Sequence, residues 1–165
     1  RVELEKTTIS NRSTKAFTLN GISDASLKLL GMGKTRKITK ENEETIKEFW
    51  RTTSENMPEW QLLLKGDILP NELRKNFVNT NTNLLNALGI ACRIIIDKHP
   101  NDWQIQLRNL KKINWSRDAP EWDGRLIING QMQKQIIGIE LAANIIIQKC
   151  GLSLSAERQK IEDKI

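Results

Sequence analysis

The sequence predicts a mainly α-helical protein, a single compact domain of about seven helices over residues 1–165. Apolar residues recur at helical spacing through most of the chain, and glycine or proline separates the periodic segments. The helical pattern is weakest over residues 114–130. There, Leu126–Ile128 precede an Asn129-Gly130 turn, which predicts a short strand or a buried irregular loop.

Capping residues and stops define the helices of the first half. Thr18 and Thr39 are typical N-caps, because a threonine oxygen can accept from an unpaired amide of the first turn. Gly31 is a typical helix stop, and Pro58 suits the first turn of a short helix that Gly66 closes. In chain order, the predicted helices span about residues 18–30, 39–56, 58–65 and a short turn from Pro70.

The longest predicted helix runs from about Asn79 to Lys98 and should lie at the centre of the core. One of its faces carries apolar residues at spacings of three and four, namely Leu84, Leu85, Leu88, Ala91, Cys92 and Ile95. Pro100 interrupts the helical pattern. Further helices are predicted from Asp102, over about residues 134–150, and from Ser155 to the last residue.

The charge is distributed unevenly. The chain has 26 basic and 20 acidic residues, a net charge of +6. Nine of the basic residues and three of the acidic ones lie within residues 1–40, so the first forty residues carry the whole excess. A protein that is basic at one end offers that end to a negatively charged partner, and nucleic acid is the first such partner to consider.

The candidate DNA-binding residues lie in two short segments of this basic end. One is the polar run from Ser10 to Lys15, and the other is the basic loop from Gly31 to Lys37. Cations would hold phosphates while hydroxyl and amide groups donate hydrogen bonds. The predicted DNA-binding residues are Ser10, Asn11, Arg12, Lys15, Lys34, Arg36 and Lys37. The alternative for the first segment is a loop that caps the first helix, with Arg12 in an ordinary salt bridge.

A second basic group surrounds Trp115. It consists of Arg108, Lys111, Lys112 and Arg117, and a solvated helix end, where cations are favoured, is the preferred explanation. The tryptophans and phenylalanines are predicted to be core residues. The acidic residues Asp118, Glu121 and Asp123, flanked by Arg117 and Arg125, predict a salt-bridged loop.

No complete catalytic or metal site is predicted, and no cofactor. Cys92 and Cys150 lie within apolar helical patterns and should be buried thiols in a reducing, cytoplasmic setting. His99 is the only histidine, and no partner for catalysis can be placed beside it. The run from Gly33 to Thr35 resembles the end of a phosphate-binding loop, but Lys28 stands where that motif has its first glycine. No apolar run approaches the length that spans a bilayer.

The sequence also resembles the DNA sulfur modification (DndB) family, whose members carry a DGQHR domain. The matching segments occur in order along nearly the whole chain: residues 4–13, Phe17–Leu19, Ile113–Arg117, Glu121–Arg125 and Gly151–Ser155. The Asp-Gly-Gln-His-Arg signature that names the family does not occur in this sequence. The resemblance therefore implies that residues 1–165 are the C-terminal helical domain of a larger protein whose other half holds the signature.

The resemblance implies a function beside bacterial DNA phosphorothioation, in which sulfur replaces a non-bridging phosphate oxygen. It implies a transcriptional repressor that binds double-stranded DNA at the promoter of the modification operon. Two alternatives stay open: a nucleotide-binding or ATPase accessory factor that uses Gly33–Thr35, and a scaffold that contacts other phosphorothioation proteins. Enzymatic activity and oligomeric state are left undecided.

Overall fold

The computed structural model describes residues 2–10, 12–133 and 135–165. The described residues form eight α-helices, and the prediction of a mainly helical fold is confirmed. The helices are α1 (Leu19–Leu30), α2 (Lys40–Glu55), α3 (Pro58–Lys65), α4 (Pro70–Asn76), α5 (Thr82–Lys98), α6 (Trp103–Leu107), α7 (Ile136–Lys149) and α8 (Ala156–Glu162). Two 3-10 helices, Arg108–Lys112 and Pro120–Trp122, lie between α6 and α7.

The predicted caps and stops are the ones that the structure uses. The Thr18 hydroxyl accepts from the Gly21 amide at the start of α1. At the start of α2, Thr39 and Asn42 form a reciprocal capping box. Gly31 ends α1 in the left-handed conformation, with φ of 62°, which glycine adopts without steric cost.

Helix α5 is the central element of the core, because α1 packs on one side of it and α7 on the other. Every residue of its predicted apolar face is at most 1% exposed. Gly89 lies where α5 meets α1. A Cβ at this position would collide with the carbonyl oxygen of Ala25, so the close approach of the two helices requires glycine here.

The aromatic residues mostly pack in the interior, as predicted. Trp115 and Trp122 are at most 1% exposed, and their rings stack with centroids 5.6 Å apart. Trp50 is half-buried, and its indole N–H donates to the Ser26 hydroxyl at 2.9 Å, which joins α2 to α1. Burial gives these side chains a role in stabilising the fold.

The structure departs from the predicted elements at the start of α5 and near the N-terminus, and it confirms the predicted short strand before the Asn129-Gly130 turn. Helix α5 begins at Thr82 instead of Asn79, because the side chain of Asn81 caps it by accepting from the Asn83 amide. The segment around residues 126–132 is a short antiparallel hairpin of β3 (Ile127–Ile128) and β4 (Gln131–Met132). A parallel pair of β1 (Val2–Glu3) and β2 (Phe17–Thr18) was not predicted.

Helix α8 is held by polar contacts, and none of its residues is fully buried. Asn144 of α7, which is fully buried, accepts from Arg158 Nη1 at 2.8 Å. Arg158 also donates to Glu140 at 3.0 Å, and Arg125 pairs with Glu162 at 2.5 Å. Two arginine–carboxylate pairs and one buried amide therefore fasten this end of the chain.

Candidate nucleic-acid interface and an adjoining cleft

A single arginine of α4 organises the polar segment near the N-terminus. Arg74 donates to the main-chain carbonyls of Ser10, Ser13 and Lys15. Burial lowers the pKa of Arg74, although a guanidinium remains charged at neutral pH. The loop is thus shaped around a cation that binds three of its carbonyl oxygens.

The described side chains among the predicted DNA-binding residues of this loop are exposed to solvent. Ser10, Arg12 and Lys15 are exposed, and Asn11 lies outside the described residues. Arg12 forms no salt bridge with any described residue, so the ordinary salt bridge considered as its alternative role is absent there. The loop instead presents Arg12 and Lys15, neither of which forms a salt bridge with a described residue, beside a serine.

The second predicted segment lies at the other end of α1. Lys34, Arg36 and Lys37 are exposed, and Lys34 Nζ lies 3.2 Å from a carboxylate oxygen of Asp24. The twelve residues of α1 make a helix about 18 Å long. The fold therefore does not gather the predicted residues into one cluster but separates them into two.

The geometry of the Gly33–Thr35 loop differs from that of a nucleotide-binding loop. A phosphate-binding loop follows a strand and opens directly into a helix. Here the loop follows helix α1, and the next helix begins only at Lys40. The positive end of a helix is therefore not placed at this loop.

The second basic group is divided by the fold. Arg108, Lys111 and Lys112 are exposed along a 3-10 helix, while buried Trp115 uses its indole N–H to donate to the Leu110 carbonyl. The prediction of a salt-bridged acidic loop is wrong. Arg125 pairs with Glu162 of α8, and the Arg117 side chain makes no hydrogen bond or ion pair among the described residues.

Arg117 instead lies at a polar cleft that the sequence analysis missed. The cleft has a volume of about 520 Å³ and opens beside the first turn of α5. Its described lining residues are Thr7, Thr8, Ile9, Ala16, Thr18, Arg74, Phe77, Thr80, Asn81, Thr82, Asn83, Arg117, Met132 and Gln133. The run of alternating Asn and Thr over residues 79–83 was its signal in the sequence, but the partners come from distant segments.

The two cysteines are buried and free, as predicted. Burial raises the pKa of Cys92 well above its ordinary value and that of Cys150 to about 12. A thiol needs its thiolate form to react, so both groups are unreactive at neutral pH. No group of three or more potential metal ligands occurs within residues 2–10, 12–133 and 135–165.

Comparison with known proteins gives one finding about identity. The chain belongs to the DndB family, described as DNA-sulfur modification-associated, and the match covers residues 1–153. The resemblance read from the sequence is thereby confirmed. No curated protein and no solved structure shows a significant match. Among the described helices, none is long and apolar enough to cross a membrane.

Proposed function

We propose that this protein is a DNA-binding regulator of a bacterial DNA phosphorothioation system and represses the promoter of the modification operon. Membership of the DndB family connects it to DNA sulfur modification. The observation that carries the DNA-binding proposal is the loop around Arg74, which exposes Arg12 and Lys15 beside a serine. Because Arg74 fixes the loop in advance, binding costs less conformational entropy.

The proposed contacts are to phosphates and not to bases. Arg12 and Lys15 would hold one part of the DNA backbone, and Arg36 and Lys37 would hold another. With α1 about 18 Å long between them, the two segments would lie roughly half a helical turn apart on a duplex. Lys34, although paired with Asp24, is 79% exposed and can exchange that partner for a phosphate.

The experiment is a titration of promoter and unrelated duplexes at several salt concentrations. Two variants are compared with the unaltered protein: Arg12→Ala with Lys15→Ala, and Lys34→Ala with Arg36→Ala and Lys37→Ala. Each lost phosphate contact should reduce the slope of log K against log salt by roughly 0.9. Both duplexes should be affected alike, because phosphate contacts do not read sequence.

The matched control is Arg108→Ala with Lys112→Ala, which removes two exposed cations outside the net-positive segment. Its DNA affinity should match that of the unaltered protein. Loss of binding in the control alone would move the interface to the 3-10 helix. Unchanged affinity in all three variants would contradict DNA contacts by residues 10–15 and 34–37 and favour the scaffold that contacts other modification proteins.

A further inference from the structure

We propose that the cleft at the start of α5 is a binding site for a phosphate ester, with Arg117 and Thr80 as its main ligands. This inference rests on residues other than those proposed to contact DNA. The exposed loops 10–15 and 33–37 hold the DNA-binding residues, whereas the cleft is a concave site whose lining comes from several distant chain segments. The two proposals can therefore fail separately.

Main-chain hydrogen bonds place Arg117 at the cleft. Residues 115–117 run beside the end of α4: the Val78 amide donates to the Trp115 carbonyl, and the Arg117 amide donates to the Asn76 carbonyl, both at 2.9 Å. On the opposite wall, Asn83 donates to the Gln133 carbonyl at 2.6 Å. Hydrogen bonds among four chain segments therefore hold the walls of the cleft in place.

The chemistry of the walls suits an anion. The described lining residues include two arginines, five threonines and three side-chain amides, and none of them is acidic. The first turn of α5 adds the positive end of a helix of seventeen residues. Arg117 is half-buried with no hydrogen-bonded partner among the described residues, so its guanidinium is available to a ligand in the cleft.

Thr80 places a second hydrogen-bonding group in the cleft. The residue is 9% exposed, lines the cleft, and its hydroxyl makes no hydrogen bond to any described residue. That hydroxyl is not among the fully buried unpartnered atoms of the described residues, so it is open to the cleft. A ligand oxygen in the cleft would accept its hydrogen bond.

The apolar residues of the lining explain why an ester suits the cleft better than a bare inorganic anion. Ile9, Phe77 and Met132 add apolar side chains to the lining of the same space. With a phosphoryl group at Arg117, an attached organic group could contact these side chains. The phosphate ester could belong to a small molecule or to the DNA backbone. Only a site for the DNA backbone would be blocked by duplex DNA.

The test is calorimetric titration of the whole chain with inorganic phosphate and with a deoxynucleoside 5′-monophosphate. Arg117→Gln should weaken binding of the monophosphate by roughly tenfold or more, because hydrogen bonds to charged groups are the strong ones. Thr80→Val should also weaken it, while leaving the melting temperature unchanged or raised. The matched control, Arg108→Gln, removes an exposed arginine outside the cleft and should bind like the unaltered protein.

A competition with duplex DNA then separates the two sources. Displacement of duplex by the monophosphate, with both weakened by Arg117→Gln, supports a backbone phosphate in the cleft. Monophosphate binding that needs Arg117 but leaves duplex affinity unchanged supports a small phosphate ester. If Arg117→Gln and Thr80→Val alter neither monophosphate nor duplex binding, the inference is wrong, whatever the loop variants show.

Discussion

Both ends of the chain are fastened by arginine side chains, and the acceptors differ. Near the N-terminus, Arg74 holds the loop of residues 10–15 through main-chain carbonyls. At the other end, Arg158 and Arg125 hold α8 through the carboxylates of Glu140 and Glu162. A carbonyl satisfies the N–H groups and leaves the charge in place, whereas a carboxylate also neutralises it.

The two ends also differ in net charge. The C-terminal arginines are neutralised by carboxylates, in agreement with the balanced charge of residues 41–165. Carbonyl pairing organises the N-terminal loop without cancelling its charge. The arginine–glutamate pairs that hold α8 therefore form a neutral C-terminal clasp, whereas the N-terminal loop keeps an exposed positive charge.

The largest expected effect comes from the helix on which both regions depend. Leu88 is 1% exposed in the middle of α5, and Leu88→Ala should lower the free energy of unfolding by about 2–5 kcal/mol. Urea unfolding measures this loss. The control is Leu64→Ala, at a side chain with 67% exposure, which should change stability by less than ~0.5 kcal/mol. Equal losses would show that α5 is not the shared centre.

The next largest effect should follow from opening the C-terminal clasp. Arg158→Ala leaves the buried Asn144 oxygen and the Glu140 carboxylate without their donor. We expect a loss of about 2–3 kcal/mol and faster hydrogen exchange in α8. A change within ±0.5 kcal/mol would mean that the carboxylate pairs contribute little and that the proposed contrast between the two ends is wrong.

A smaller effect on global stability is expected from Arg74, because the loop it holds lies outside the core. Arg74→Ala should reduce unfolding free energy by about 1 kcal/mol while hydrogen exchange in residues 10–15 rises strongly. Arg74→Lys separates shape from charge, since lysine keeps the charge but lacks the planar fork. If Arg74→Lys protected the loop as well as arginine does, the carbonyl contacts would not be what shapes it.

The smallest effects concern two glutamates with opposite pKa shifts. Burial alone would raise the pKa of Glu162, but hydrogen bonds from Arg125 and Asn144 outweigh it and lower the pKa. Its contribution to stability is present above the ordinary glutamate pKa and is lost as the pH falls through the lowered folded value. Urea melts of Glu162→Gln should therefore show a smaller acid-induced loss of stability than the unaltered protein.

The pKa of Glu59 is shifted in the opposite direction. Burial raises its pKa despite the hydrogen bond from Asn79, so its ionisation opposes folding as the pH rises through the raised value. Glu59→Gln should be the more stable protein at neutral pH and lose that advantage in acid. Matching pH profiles for Glu59→Gln and Glu162→Gln would contradict the assigned directions.

Local chemistry made most of the fold predictable. The caps Thr18 and Thr39, the stop at Gly31 and the buried face of α5 each depend on a few neighbouring residues, and all were found from the sequence. The start of α5 was misplaced by three residues because Asn79, Asn81 and Asn83 are all plausible caps. Tertiary context selected Asn81.

The site was less predictable because its partners are distant in sequence. Arg74 meets carbonyl groups about sixty residues earlier in the chain, and carbonyls leave no mark in a sequence pattern. Arg117 was grouped with Lys111 and Lys112 by proximity along the chain, whereas main-chain pairing with residues 76–78 turns it towards the cleft. Only the exposure of the two basic loops was foreseeable.

The polar contacts of α8 also show that the end of a family match and the end of a folded unit can differ. The match to the DndB family covers residues 1–153, whereas the contacts of α8 with the rest of the fold involve Arg158 and Glu162. A protein that ended at residue 153 would expose α7. The amide of Asn144 would then lose its hydrogen-bond partners on α8. The end of the family match is therefore not the end of the folded unit, because polar side chains beyond residue 153 satisfy a buried amide within the matched part.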